Sequence, residues 1–301
     1  MKKSLLLGIL ASFFFVFTFL LNRSMNLSGG YWLWSACLRY LFMLPMLGII
    51  LYRNNGIMIT IREIKKNIWG WLLWSTVGFG LFYAPLTLSS VFGSSWLAAA
   101  SWQITIVAGV LLTPLFGQKI PIKNLTMSLV ILAGVFLLQA GQMKSLKPSQ
   151  LLLSMIPMLI AAFSYPLGNR KMMNLCQNHV TTLQRVFGMT LCSMPFWILL
   201  SIFSYSKVGL PESNQVIQSV VVALFSGVIA TILFFKATDL VKTNTKHLAL
   251  IEATQSGEVL FTLLGGIFIL GDSLPSTTGF LGIAFILIGM VLNSLVSSNK
   301  S

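Results

Sequence analysis

The chain has 301 residues, of which 56% are hydrophobic and only 9% charged, with a formal net charge of +14 and a mean hydropathy of +0.86. That balance excludes a water-soluble domain, and apolar runs of about 18 residues or more read as membrane helices. The short connections between runs leave no room for a folded nucleotide-binding domain, so ATP hydrolysis by this chain is not expected.

In chain order the hydrophobic spans fall at about 4–22, 31–52, 68–88, 94–116, 123–142, 150–168, 181–204, 217–237, 245–270 and 276–296. Ten spans with the N-terminus inside would put Lys2, Lys3, Arg53, Arg62, Lys65, Lys66, Lys119, Lys123, Arg170, Lys171, Arg185, Lys236, Lys242, Lys246 and Lys300 on the inner side. Only Arg23, Lys144, Lys147 and Lys207 would lie outside. Fifteen basic residues against four is a strong positive-inside bias. The basic surplus is therefore topology, and no nucleic-acid partner is expected. The expected location is a bacterial cell (plasma) membrane, with both termini cytoplasmic. Met1-Lys2-Lys3 and the apolar run behind it resemble a signal peptide, but no small-residue cleavage site follows, and the run reads as the first span.

The chain repeats itself. Leu5-Leu6-Leu7 opens a run closing on Asn22-Arg23-Ser24-Met25, and Leu152-Leu153-Ser154 opens another closing on Asn169-Arg170-Lys171-Met172, 147 residues later. Phe82-Tyr83-Ala84 is answered by Phe234-Phe235-Lys236-Ala237, and Gly117-Gln118-Lys119-Ile120-Pro121 by Gly271-Asp272-Ser273-Leu274-Pro275 at an offset of 154. Residues 1–146 and 147–301 each hold five spans, an odd number, so the second half would enter the bilayer inverted. The fold class predicted is an all-α membrane protein of ten transmembrane helices in two inverted five-helix repeats. Secondary transporters use such repeats to give one site two alternative accesses.

Six acids are present. Glu63, Glu212 and Asp272 fall in loops or at helix ends, and Asp239 near the inner surface. Glu252 and Glu258 lie within span 9, with Glu258 roughly 20 Å from its start at about 1.5 Å per residue, close to mid-membrane. A charge there costs about 2.5 kcal/mol or more, so it must face a cavity, find a partner or stay protonated. Either acid could trade a proton for a cationic substrate. The bland alternatives are a hydrogen-bonded structural acid, a pair with Arg39, or for Glu252 a pair with Lys246. Arg39 is the one basic residue well inside a span. It could neutralise an acid or hold an anionic substrate group, and its nearness to Tyr31 favours outward snorkelling.

Trp102 and Gln103 in span 4, with Tyr83 and Phe235, could line an aromatic cavity attractive to organic cations; helix packing or lipid contact is the alternative. Pro45, Pro85, Pro114, Pro157, Pro166 and Pro195 interrupt apolar spans and would permit bends. Gly78, Gly80, Gly265 and Gly266 suit close helix approach. Cys37, Cys176 and Cys192, with His179 and His247, show no metal-ligand spacing, so no metal or cofactor is expected. No dinucleotide fingerprint, Walker motif or hydrolase serine motif occurs, and no enzymatic role is expected.

The segment Ala249–Asn293 carries Glu258-Val259, Gly271-Asp272, Pro275, Gly282 and Gly289. It resembles the closing hairpin of EamA-like members of the drug/metabolite transporter superfamily, and Pro121 and Gly134 mark the same hairpin earlier. Within that superfamily the chain looks closest to the multidrug resistance efflux transporters. It departs from the family pattern in Val259, where Pro is usual, in Asp272 for Glu, in Gln118 for the first-half acid, and in Ile104 opposite Glu258. The related four-helix multidrug proteins use a Glu in helix 1, and span 1 here has no acid. The resemblance implies a central cavity lined by spans 1, 3, 4, 6, 8 and 9. The expected function is proton-driven export of small molecules, lipophilic cations first, by a monomer in the lipid bilayer. The alternative is an amino-acid or metabolite exporter or a facilitator without proton coupling.

Overall fold

Backbone amides in hydrocarbon must bond within their own segment, and a run of apolar residues can do this only as a helix. The computed structural model describes residues 2–52, 55–117, 119–142, 148–177, 179–241, 251 and 254–298, and among them there is no strand.

Helix α1 (Lys2–Leu27) is followed by α2 (Trp32–Tyr52) and the short α3 (Gly56–Lys66). Next, α4 (Ile68–Ser75) widens into a π-helical turn, Thr76–Gly80, and continues as α5 (Leu81–Ser89). Helices α6 (Ser95–Trp102) and α7 (Ile104–Leu111) are parted at Gln103. Then come α8 (Ile122–Gln142), α9 (Pro148–Cys176) and α10 (Thr182–Val208). Helix α11 (Ser213–Val222) passes through a second π-helical stretch, Ala223–Ala230, into α12 (Thr231–Asp239). Helices α13 (Ser256–Leu270) and α14 (Thr277–Ser298) complete the chain.

Among the described residues, seven continuous stretches are long and apolar enough to cross a membrane: Lys2–Leu27, Trp32–Tyr52, Ile68–Phe92, Ile122–Ala140, Pro148–Cys176, Thr182–Val208 and Ser213–Phe234. Three shorter apolar stretches are Ser95–Leu111, Gly257–Leu270 and Thr277–Asn293. The predicted span 4 is thus two short helices, because the chain turns at Gln103. The described part of the predicted span 9 begins its helix at Ser256. Prolines 45, 157, 166 and 195 lie inside continuous helices. The two π-helical stretches start 147 residues apart, at Thr76 and Ala223.

Outside the spans, α3 turns Arg62, Lys65 and Lys66 outward and Thr60, Glu63 and Ile64 inward. Glu63 accepts from Lys66 Nζ at 2.6 Å and meets His179 Nδ1 at 3.2 Å. The Lys66 ammonium holds the Glu63 carboxyl below the usual carboxylate range, against the opposing effect of burial. The clasp ties α3 to the turn before α10. There Thr181 caps the helix by accepting from the Gln184 amide, while the Gln184 side chain accepts from the Thr181 amide.

Helices α8 and α14 approach backbone to backbone. A Cβ on Gly134 would stand 2.6 Å from the Gly282 carbonyl oxygen, and one on Gly282 would stand 2.7 Å from that of Gly134. Small residues allow such approach in membranes, where apolar transfer supplies little drive for helix association. Overpacking costs about 1–3 kcal/mol in ordinary cores, and here the obstacle is backbone, which cannot swing aside. Gly282→Val should therefore lower the thermal midpoint of the detergent-solubilised protein by several degrees. Gly48→Ala, whose Cβ would meet nothing closer than 3.8 Å, should not; equal midpoints for the two variants would refute this account.

Candidate functional site: a central cavity bordered by Arg39 and Glu258

Arg39 lies on the face of α2 that carries Ser35, Ala36, Leu38, Tyr40 and Met43 into the bundle, and is 6% exposed. Its Nη1 donates to Thr18 Oγ1 of α1 at 3.0 Å, and Thr18 in turn shares a 2.5 Å hydrogen bond with Ser226 Oγ of the second π-helical stretch. The guanidinium carbon lies 4.1 Å from the centre of the Tyr83 ring and 5.8 Å from that of Tyr40. A desolvated cation over such rings gains about 2 kcal/mol or more. Behind this layer, Asn22 Nδ2 donates to the Tyr83 hydroxyl at 3.2 Å, and Tyr40 stacks on Trp197 with centres 4.5 Å apart. Arg39 Nε has no hydrogen-bond partner. The expected outward snorkelling is therefore incorrect. Depth along the helix permitted it, but Thr18 and Tyr83 offer a hydrogen bond and a ring face on the inner side.

Glu258 sits in the first turn of α13 and is 4% exposed. It borders the same cavity as Arg39, about 610 Å³ in volume, yet the two form no ion pair within 4.0 Å. Nearby, Phe82, Trp102 and Tyr165 form a ring cluster with centres 4.8 to 5.6 Å apart, and each contributes to the cavity wall. Gln103 also lines it from the break between α6 and α7, its Nε2 donating to the Ala99 carbonyl at 3.1 Å. The cavity continues to the end of the bundle bearing Asn124, Asn293, Arg170 and Arg185. There Asn124 Nδ2 donates to Asn293 Oδ1 at 2.9 Å, and Arg170 Nη1 to the Gly109 carbonyl at 2.8 Å.

Of the residues singled out from sequence, Glu258, Arg39, Trp102 and Gln103 border one cavity. Tyr83 does not, being fully buried one layer back, where it carries the Arg39 cation. Glu252 lies outside the described residues, as does the side chain of Phe235; its neighbour Phe234 is on the wall. The wall also draws on α2 and α10, through Arg39, Tyr40, Arg185 and Met189, beyond the spans that the resemblance implied. Thr18 and Tyr165 were missed, although they stand 147 residues apart, the offset of the repeat, and both line the cavity. The cavity can hold a molecule of small-metabolite size, with a cationic contact at Arg39, an ionisable contact at Glu258 and flat apolar walls between.

Comparison with known proteins agrees with this architecture. A Bacillus subtilis (strain 168) protein, "Uncharacterized protein YjlA", is 48% identical over 311 residues, covering 99% of this chain and 96% of the relative. A Shouchella clausii protein, "Uncharacterized 42.1 kDa protein in intracellular alkaline protease 3'region", is 47% identical over 266 residues, covering 85% of this chain and 70% of that one. A solved crystal structure superposes with a TM-score of 0.68 over the whole of both chains at 14% identity, a likeness of fold alone. Residues 2–299 match the family described as "EmrE: Putative multidrug resistance efflux transporter". The chain belongs to that family of efflux transporters and is a multi-pass membrane protein.

Proposed function

We propose that this protein exports small amphipathic molecules by alternating access, exchanging them for a proton held at Glu258. The observation that carries the reading is that Arg39 and Glu258, of opposite charge type, border one cavity without pairing. Two such groups left apart in an apolar interior are costly unless a third body completes them. A zwitterion does so, its carboxylate against Arg39 and its amine displacing the proton of Glu258. The ring cluster of Phe82, Trp102 and Tyr165 suits an apolar or aromatic body. The favoured substrates are therefore amino acids or similar zwitterionic metabolites.

The second reading is export of lipophilic cations. It is favoured by the same rings beside Glu258, since ring faces attract cations. Against it stands Arg39, which cannot discharge and would repel a second cation. Glu252 remains a candidate coupling group on its sequence position.

Alternating access needs two inverted halves, which we assign to residues 1–146 and 147–301 with ten spans in all. Seven long and three shorter apolar helical stretches are consistent with ten. The paired offsets of Thr76 with Ala223 and Thr18 with Tyr165 support the repeat. The protein would act as a monomer in the cell membrane with both termini cytoplasmic.

Two experiments test this. With Cys37, Cys176 and Cys192 changed to serine, Ile106→Cys on the cavity wall should react with an aqueous thiol reagent. Leu138→Cys, 1% exposed and off the wall, should not. An unreactive Ile106→Cys would sink the transport reading.

The second measures proton release from purified protein when amino acids or lipophilic cations are added. About one proton per bound zwitterion is expected, as at a single exchanging acid, and none in Glu258→Gln. Arg39→Gln should weaken amino-acid binding about thirtyfold or more, since losing a buried charged partner costs ~2–5 kcal/mol, and spare lipophilic cations. Proton release by cations alone would select the second reading; ligand binding without release would leave a facilitator.

A further inference from the structure

At the end of the bundle opposite Arg170 and Arg185, a buried carboxylate joins three elements. Asp272, between α13 and α14, accepts from the Ser95 amide at 2.8 Å and the Ser95 hydroxyl at 2.6 Å, both on Oδ2. Its Oδ1 accepts from Arg23 Nε at 3.4 Å. Beside it, Trp96 Nε1 donates to the Ser273 carbonyl at 3.1 Å. The Asp272 side chain is 2% exposed. It thus pins the end of α1, the start of α6 and the α13–α14 connection to one another. Gly266 makes room for it. A Cβ there would stand 2.7 Å from Asp272 Oδ2 and collide with Ser95 Oγ. None of Arg23, Ser95, Gly266 or Asp272 borders the cavity, which runs from Glu258 toward the other end.

We infer that Asp272 is the latch of the gate at this end, the extracellular one on the expected topology, and that the protein rests with this gate closed. The inference depends on the alternating-access reading above. Opening would part the elements that bring Ser95 and Arg23 to Asp272, and charge-assisted hydrogen bonds in a dry site resist this more strongly than neutral ones. The repeat supplies the asymmetry. Arg23 is answered by Arg170, but Asp272 is answered by Gln118. An amide at 118 cannot form with Arg170 the ion pair that Asp272 forms with Arg23, so the two ends are not held by the same contact. Arg170 borders the cavity and donates to the Gly109 carbonyl. With the Asp272 gate closed, the resting state presents the cavity to the cytoplasm, as an exporter requires.

The test uses Ile106→Cys in the cysteine-free chain, labelled by a membrane-impermeant thiol reagent in right-side-out and inside-out vesicles. Labelling from outside should be slow in the parent. It should quicken about tenfold or more in Asp272→Asn, which shifts the balance of the two states, and by less in Arg23→Gln. Asp272→Glu, which keeps the charge, should stay near the parent. Gln118→Glu should slow labelling from inside, and it carries the test should Asp272→Asn fail to reach the membrane. Outside rates unchanged in both Asp272→Asn and Arg23→Gln would overturn the latch and leave Asp272 a static staple. So would an inside rate unmoved by Gln118→Glu. If Ile106→Cys reacts from neither side in any variant, the alternating-access reading fails; reaction from inside alone in every variant removes only the latch.

Discussion

A guanidinium has no uncharged form at physiological pH, so Arg39 in the middle of an apolar bundle constrains everything near it. Desolvation of an ion costs several kcal/mol even after the surroundings relax. Here that cost is met by parts drawn from four segments: the hydroxyl of Thr18 on α1, backed by Ser226, and the ring faces of Tyr83 on α5 and Tyr40 on α2. Those groups need their own support, which Asn22 gives to Tyr83 and Trp197 to Tyr40. The centre is thus two layers deep. The inner layer meets the charge, the outer layer orients the inner, and the free edge of the guanidinium is left to the cavity.

The backbone departs from regular helix around this centre. Irregular turns at membrane depth persist only where protein or a cavity surrounds them. Phe79 and Ser226, one from each π-helical stretch, border the cavity, as does Gln103 at the break between α6 and α7. In a π-helical turn the extra residue shifts the register of all that follows. Without the stretch Ala223–Ala230, the inward face of the helix would be displaced and Ser226 would not reach Thr18. The deviations therefore sit where side chains must be aimed inward, and the regular helices α8 and α14 sit away from them.

How much of this was legible beforehand depends on what each feature is made of. Spans are made of composition: Lys2–Leu27 contains its predicted run, and Trp32–Tyr52 and Thr182–Val208 begin one residue after theirs. Offsets are legible too: Asn22-Arg23 against Asn169-Arg170 already implied that Thr18 and Tyr165 are equivalent. Azimuth was not legible. Arg39 lies eight residues from Tyr31, which says how deep it sits but not whether it turns toward lipid or toward Tyr83. Tyr83 is an aromatic expected on the wall, whereas the helix rotation puts Phe82 on the wall and Tyr83 behind Arg39. The break at Gln103 has no local signature, since Ala98-Ala99-Ala100 before it and Ile104-Thr105-Ile106 after it are ordinary span residues.

The contacts also divide by whether they can be undone. Between α8 and α14 the fit is backbone against backbone at Gly134 and Gly282. A slide of one helix along the other would drive the carbonyl of one into side chains of its neighbour, so the pair moves as one body. The contacts that α1 and α6 make with the α13–α14 connection include exchangeable polar ones: Arg23 and Ser95 to Asp272, Trp96 to Ser273. Polar contacts of that kind can exchange their partners for water when a gate opens, at modest net cost, because each donor and acceptor is satisfied in both states. Close-packed apolar contacts have no such substitute. Motion in this bundle should therefore concentrate where hydrogen bonds rather than glycines join the helices, and the α8–α14 pair should serve as the fixed post against which the rest rocks.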